Sequence, residues 1–172
     1  MHESVRIRRE DSKNLEELAK IRSVNEAAFG GLFEADLVDK LRGAGQVLIS
    51  LVAEAERSIA GHIVFSRMWI DTAPKLIPAV ALAPVAVLPV YQRKGFGSQL
   101  ITTGLGLLRD RRETIVIVVG HPSYYPQFGF SADKASHLKS PFPPDAFMAL
   151  ELRPGTLDGI RGSVVYPAAF GI

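Results

Sequence analysis

Apolar residues along this chain change their period several times, and each change marks a new kind of element. Val5 and Ile7 alternate with polar neighbours, which predicts a short first strand. Asp11 or Ser12 is then placed to cap a helix whose apolar stripe runs through Leu15, Leu18, Ala19 and Val24 to Ala28 before Gly30-Gly31 ends it. Leu37, Val38 and Leu41 mark a second, shorter amphipathic helix closed by Gly43. From Val47 the pattern becomes strand-like. Val47 to Ala53 and Ile59 to Phe65 flank the polar segment Glu54 to Ser58 and read as a hairpin.

Pro74 and Pro78 then interrupt the chain. Ala79 to Leu88 follows as an apolar strand with Pro84 inside it, a residue that fits a central strand only at a bulge or where pairing is broken. After Gly95-Phe96-Gly97 comes a helix carrying Leu100, Ile101, Leu105, Leu107 and Leu108 and ending in Arg109, Arg111 and Arg112, cations suited to a helix C-terminus. Ile115 to Val119 reads as a buried strand, Tyr124 to Phe130 as a short aromatic helix or turn, and Phe147 to Leu152 and Val164 to Tyr166 as late strands. No repeat or linker divides the chain, so residues 1–172 are expected to form one domain.

Composition narrows the chemistry. With no cysteine among 172 residues, disulfides, thiolate metal sites and a cysteine nucleophile are excluded. His2, His62 and His137 are scattered without ligand spacing, so no metal is expected. Twenty Lys and Arg against 18 Asp and Glu leave a net charge of +2, too small for a typical nucleic-acid protein and compatible with a small anionic ligand. The start has no signal-peptide core and no segment reaches the ~18 apolar residues of a membrane helix, so a soluble, cytoplasmic protein without a membrane partner is expected.

The informative stretch is Leu82 to Gly97. Gln92-Arg93-Lys94-Gly95-Phe96-Gly97 opens a helix: glycines let backbone approach a bulky anion, helix N-terminal amides point at it, and Arg93 and Lys94 add charge. A glycine-rich turn with solvated basic residues is the plainer alternative. Gly97 is followed by Ser98-Gln99 rather than by Lys and a hydroxyl residue, which excludes a P-loop. Leu100 stands where a dinucleotide fingerprint wants a third small residue, and Gly120-His121 stands where it wants an acid.

Gln92-Arg93-Lys94-Gly95-Phe96-Gly97 after the strand Leu82 to Val87 and Pro89, followed by Tyr125-Pro126-Gln127-Phe128-Gly129-Phe130, resembles the GNAT superfamily of acyl-CoA-dependent N-acetyltransferases. Leu82 to Pro89, Gly120 to Tyr125 and Ala146 to Leu150 are similar to the bacterial YhbS-like subgroup. The resemblance implies an α/β (α+β) fold with a central mixed, mostly antiparallel sheet, splayed in its middle and flanked by helices. It implies acetyl-CoA as acyl donor, held by the backbone of Val85, Ala86 and Val87 through its pantetheine and by Gln92, Arg93, Lys94, Gly95, Phe96, Gly97 and Ser98 through its pyrophosphate. The partner substrate would be an amine acceptor.

In the family a tyrosine four residues before the Gly-Phe pair protonates the leaving thiolate, and this maps to Tyr125, with Tyr124 as rival and aromatic packing under the cofactor as the alternative role. A backbone amide near Val87 would stabilise the thioester oxyanion. Lacking cysteine, the chain favours direct attack by the acceptor over an acyl-enzyme, with serine left open. His121 is a candidate base or a structural histidine, and Glu54, Asp71 and Glu151 are weaker candidates. The acceptor pocket is expected from the first two helices, Phe65 to Ile77 and Phe142 to Phe147; Phe29, Phe33 and Trp69 belong either to it, to the core or to a homodimer contact. A non-catalytic acyl-CoA-binding sensor or scaffold is the alternative function.

Overall fold

In the computed structural model, which describes residues 4–172, the first helix is capped neither by Asp11 nor by Ser12 but by Asn14. The Asn14 side chain accepts the N–H of Glu17 at 3.2 Å, as an N-cap residue does for the third helical amide. Asp11 is used one step earlier, accepting the N–H of Lys13 at 3.1 Å in a turn that leads into the cap. Glu16 and Glu17 then fill the first turn, where the helix dipole favours acids. Gly30, left-handed at φ 71°, closes the helix through its N–H on the Glu26 carbonyl.

The elements run β1 (Val5–Arg9), α1 (Leu15–Phe29), α2 (Phe33–Gly43), β2 (Val47–Ala55), β3 (Ser58–Asp71), β4 (Leu76–Val87), α3 (Phe96–Asp110), β5 (Ile115–Val119), β6 (Leu138–Lys139), β7 (Phe147–Glu151) and β8 (Gly162–Val165). Short 3-10 turns occupy Pro89–Tyr91, Tyr125–Phe128 and Ala168–Phe170. Glu56 and Arg57, at φ 52° and 64°, make the two-residue turn between β2 and β3, the geometry that matches strand twist in a hairpin. The sheet follows the order β1-β2-β3-β4-β5-β7, and β8 pairs with β3 and β6. It is mixed and mostly antiparallel: β4 with β5 and β6 with β8 are the parallel pairs. The α/β fold class is therefore as the sequence predicts. Two details differ. Pro78 lies inside β4 instead of breaking the chain before it, and the two-residue β6 has no counterpart in the apolar pattern.

Two compact units divide these residues. The first comprises the described residues up to Phe65 with Ala83–Gly106, and it buries Ile21 and Val24 of α1 against Val52, Ile59 and Ala86. Phe65 is fully buried there, worth about 1.5–3 kcal/mol. Its ring fills the space beside Gly104, where an added Cβ would sit 2.1 Å from Cε2. The second unit comprises Ser66–Leu82 with Leu107–Ile172, and its core includes Met68, Ile70, Ala79, Ile115, Ile117 and Phe147.

The first unit also buries a polar network. His62 is fully buried: Ser50 Oγ lies 2.8 Å from its Nε2, Glu10 Oε1 lies 3.4 Å from the same nitrogen, and Asn25 Nδ2 lies 3.2 Å from Nδ1. Arg42 donates twice to Glu10, at 2.9 and 3.0 Å. Burial pushes the Glu10 carboxyl up, but hydrogen bonds from His62, Arg42 and Ser50 outweigh it and bring it down to about 2. Burial lowers the His62 pKa, against the pull of Glu10. Serine, histidine and acid meet here, yet the acid and the serine share one ring nitrogen and Ser50 donates its proton to Glu10, so no nucleophile triad is formed. The site holds a neutral imidazole beside an ionised carboxylate.

Candidate functional site

The sequence singles out two stretches, one in each unit. In the first unit, β4 ends at Val87 with Ala86 buried in the core and Val85 and Val87 half-buried, the alternation of a strand with one covered face. The β4–β5 register consists of Val80 with Val116 and Ala81 with Ile117, and Val85 and Val87 lie past its end. Beyond the strand, the Leu88 N–H donates to the Ala60 carbonyl at 2.8 Å and the Tyr91 N–H to the Leu88 carbonyl at 2.8 Å, which folds the turn back on β3. The Gln92 carboxamide donates to the Val87 carbonyl at 3.0 Å.

The next residues reverse direction twice. Arg93 takes φ 64° and Gly95 φ 86°. A left-handed conformation costs a non-glycine residue about 1–2 kcal/mol, and such turns gather backbone amides on one side of the chain. At Gly95 a Cβ would meet nothing within 4 Å, so the space beside it is open. Helix α3 starts at once, its early bond running from the Gln99 N–H to the Gly95 carbonyl at 3.1 Å, and the amides of Phe96 and Gly97 lie in the first turn, where intrahelical acceptors are lacking.

Arg93, Lys94 and Gly95 are exposed, whereas the Phe96 side chain is buried and stacks on Tyr91 at 5.4 Å. Phe96 therefore offers a ligand its backbone. Lys94 Nζ stands 5.6 Å over the Tyr91 ring, and the Tyr91 hydroxyl donates to Glu56 at 3.2 Å, anchoring the turn to the β2–β3 hairpin. Open backbone, first-turn amides and two exposed cations fit a pyrophosphate group.

In the second unit, Tyr125 begins the 3-10 turn after β5. The N–H groups of Tyr124 and Tyr125 both donate to the His121 carbonyl, at 3.0 and 3.3 Å. The Tyr125 ring is 8% exposed and held edge-on by Tyr124 at 5.1 Å and Phe130 at 5.8 Å. Burial, with a smaller contribution from Tyr124, pushes its phenol up to about 12. Its hydroxyl has no hydrogen-bond partner among the described residues, and the raised pKa keeps it protonated at neutral pH. Gly120 makes room for this ring, a role that nothing in the sequence pattern pointed to.

The candidate bases divide clearly. Glu54 pairs with Arg8, Asp71 accepts the Ala73 N–H at 2.9 Å, and Glu151 pairs with Lys134 and accepts the Leu157 N–H at 2.8 Å. His121 is exposed and its side chain bonds to no other described residue. Of the aromatic residues proposed for an acceptor groove, Phe65 and Phe147 belong to the cores, while Phe29 and Phe33 are 44% and 63% exposed and so are not core residues. No group of three or more His, Asp or Glu among the described residues is arranged to hold a metal, and no helix there is long and apolar enough to cross a membrane.

Comparison with known proteins places this geometry. An acetyltransferase (GNAT) domain matches residues 11–132. The uncharacterized N-acetyltransferase YjhQ of Escherichia coli strain K12 is 37% identical over 149 residues, covering 81% of this chain and 82% of that protein. The GNAT family N-acetyltransferase YhbS from Escherichia coli, solved in complex with CoA, superposes with a TM-score of 0.89 at 28% identity, over 99% of this chain and 93% of its own. A GNAT family acetyltransferase from Brucella melitensis, solved with acetyl-CoA, gives 0.80 at 35% identity over 98% and 99% of the two chains.

Proposed function

We propose, on the premise that this chain belongs to the GNAT acetyltransferase family, that it moves the acetyl group of acetyl-CoA directly to a primary amine of a small molecule or peptide. The single observation that carries the donor assignment is the turn at Arg93 to Gly97: two left-handed residues, open space at Gly95 and the first turn of α3 beside two exposed cations. Arg93, Lys94, Gly95, Phe96, Gly97 and Ser98 hold the pyrophosphate in this reading, with Gln92 bracing the turn. Val85, Ala86 and Val87 offer their backbone to pantetheine.

The chemistry is acyl transfer without redox change. The amine nitrogen bonds to the acetyl carbon, the carbon–sulfur bond breaks, and one proton leaves the amine while one joins the sulfur. A lysine-type amine has a pKa of about 10.4, so it reacts in its minor neutral form and must lose its proton before or during attack. Tyr125 gives the proton to sulfur; its raised pKa suits a donor that stays protonated at neutral pH, and its hydroxyl has no competing bond among the described residues. His121, exposed and uncommitted, is the residue we assign to accept the amine proton, through water. The chain acts as one transferase domain, in the cytoplasm.

The test is thermal unfolding with acetyl-CoA, CoA, NAD and ATP in large excess, followed by CoA release on adding amines. A ligand at ~100 times its dissociation constant adds about 2.7 kcal/mol, a rise of roughly 5–10 °C for a chain of this size. A rise with acetyl-CoA and CoA but not with NAD or ATP is expected. No rise with either CoA species overturns the reading.

A further inference from the structure

The second unit carries a basic pocket that contains none of the residues assigned above to acetyl-CoA or to proton transfer. Asp71 at the end of β3 pairs with Ser163 of β8, and Ser163 pairs with Lys139 of β6, so three strands set these residues in one row. Successive strand residues point to opposite faces. Ile70, Val164 and Leu138 belong to or pack on the core, while Asp71, Ser163 and Lys139 are exposed, as are His137 and Arg161. With Thr72, Ala73 and Gly162 these residues line a pocket of about 450 Å³.

The walls are built closely. A Cβ at Gly162 would lie 2.4 Å from the Asp71 carbonyl oxygen, so only glycine lets β8 begin against the β3–β4 hairpin. The hairpin ties up its own polar groups: Asp71 accepts the Ala73 N–H at 2.9 Å, and Thr72 donates to the Lys75 carbonyl through its N–H at 3.0 Å and its hydroxyl at 2.9 Å. The donors opposite are uncommitted. Lys139, Arg161, His137 and Ser163 make no side-chain hydrogen bond or ion pair with other described residues, whereas Arg8, Arg22, Arg42, Arg67 and Lys134 are all paired with carboxylates.

The lining therefore offers unused donors and two cations, Lys139 and Arg161, against one carboxylate. Lys139 stands beside Ser163 across the β6–β8 pair, about 4.8 Å away as neighbouring strands lie, and Arg161, two residues before Ser163, lines the same pocket. A pocket of this volume takes a small organic molecule, since ligand sites span roughly 300–1,000 Å³.

We infer that this pocket binds the oxyanion group, phosphate or carboxylate, of a small molecule, with Lys139 and Arg161 supplying the charge and Ser163 a hydroxyl. The inference stands independently of acetyl transfer. Its test is an amide NMR titration of the full chain with inorganic phosphate, with acetate and with chloride at matched ionic strength, following the Gly162 and Ser163 signals. Saturable shifts with phosphate or acetate but not with chloride are expected, and the tighter probe identifies the group. K139Q/R161Q should weaken the binding at least tenfold while distant signals stay in place; K139Q and R161Q alone give the same answer if the double variant misfolds. Shifts that chloride reproduces, shifts that do not saturate, or unchanged affinity in the variants overturn the inference.

Discussion

The carboxamide of Gln92 donates to the carbonyl of Val87 across 3.0 Å and so ties the turn entering α3 to the end of β4. A carbonyl oxygen has two lone pairs, which leaves Val87 one acceptor site for a ligand. Gln92 thus braces the strand proposed to meet pantetheine, in addition to its place in the phosphate motif.

Removing that brace loosens both ends. A neutral hydrogen bond of this kind is worth about 0.5–1.5 kcal/mol net, so Gln92→Ala should weaken acetyl-CoA binding about two- to tenfold by calorimetry. Gln92→Glu should do worse, because it sets a carboxylate against the carbonyl. Unchanged affinity in both variants would remove Gln92 from the donor site.

Tyr125→Phe deletes the proposed proton donor and keeps the ring. We expect kcat to fall about 100-fold, the low end of acid–base contributions, with the dissociation constant of acetyl-CoA unchanged. Since the phenol is held near pKa 12, the wild-type kcat should show no descending limb from this group between pH 8 and 10. A full-strength Tyr125→Phe enzyme would sink the assignment.

Gly120→Ala tests the seat of that ring. An added Cβ would lie 2.3 Å from Cε2 and 2.9 Å from Cδ2 of Tyr125, whose ring also meets Tyr124 and Phe130 edge-on. Overpacking of this kind costs about 1–3 kcal/mol. Denaturant unfolding should register that loss, and kcat should fall further than acetyl-CoA affinity does. A variant with wild-type stability and rate would show that the ring moves freely.

The His62 network predicts acid sensitivity. Burial lowers the folded pKa of His62 below the ordinary imidazole value of 6.5, so the unfolded chain takes up a proton first as pH drops. Stability conferred by the neutral imidazole is complete above about pH 6.5 and is lost as pH falls from there toward the folded value. Glu10, at about 2 folded against 4.5 unfolded, adds a second loss between pH 4.5 and 2. Urea unfolding from pH 8 to 3 should show both declines, and His62→Gln should flatten the first. A flat wild-type curve between pH 7 and 5 would contradict the burial argument.

Local chemistry was legible in the sequence, because caps, turns and amphipathic stripes depend on residues a few positions apart. Gly30 closed the first helix as expected, whereas the second runs through Gly43 to a cap at Ala44; Glu56 and Arg57 turned the hairpin within the expected polar segment, and Gly95-Phe96-Gly97 opened α3. Pro84 inside an apolar strand correctly pointed to limited pairing, since proline cannot donate to a ladder. The order of the Gln92–Gly97 and Tyr125–Phe130 motifs was enough to identify the family.

Tertiary structure decided whatever depends on distant partners. Asp11, Ser12 and Asn14 are equally able to cap a helix; in the fold Asn14 caps it, while the Glu17 side chain pairs with Arg8 of β1 and accepts the Asp11 N–H. His62 looked like an isolated histidine until Glu10, Asn25, Arg42 and Ser50 came together around it. The row Asp71, Ser163 and Lys139 exists only through strand register. Sequence spacing carries periodicity and local hydrogen bonding, whereas desolvation and charge pairing depend on which remote side chains the fold brings within a few ångströms.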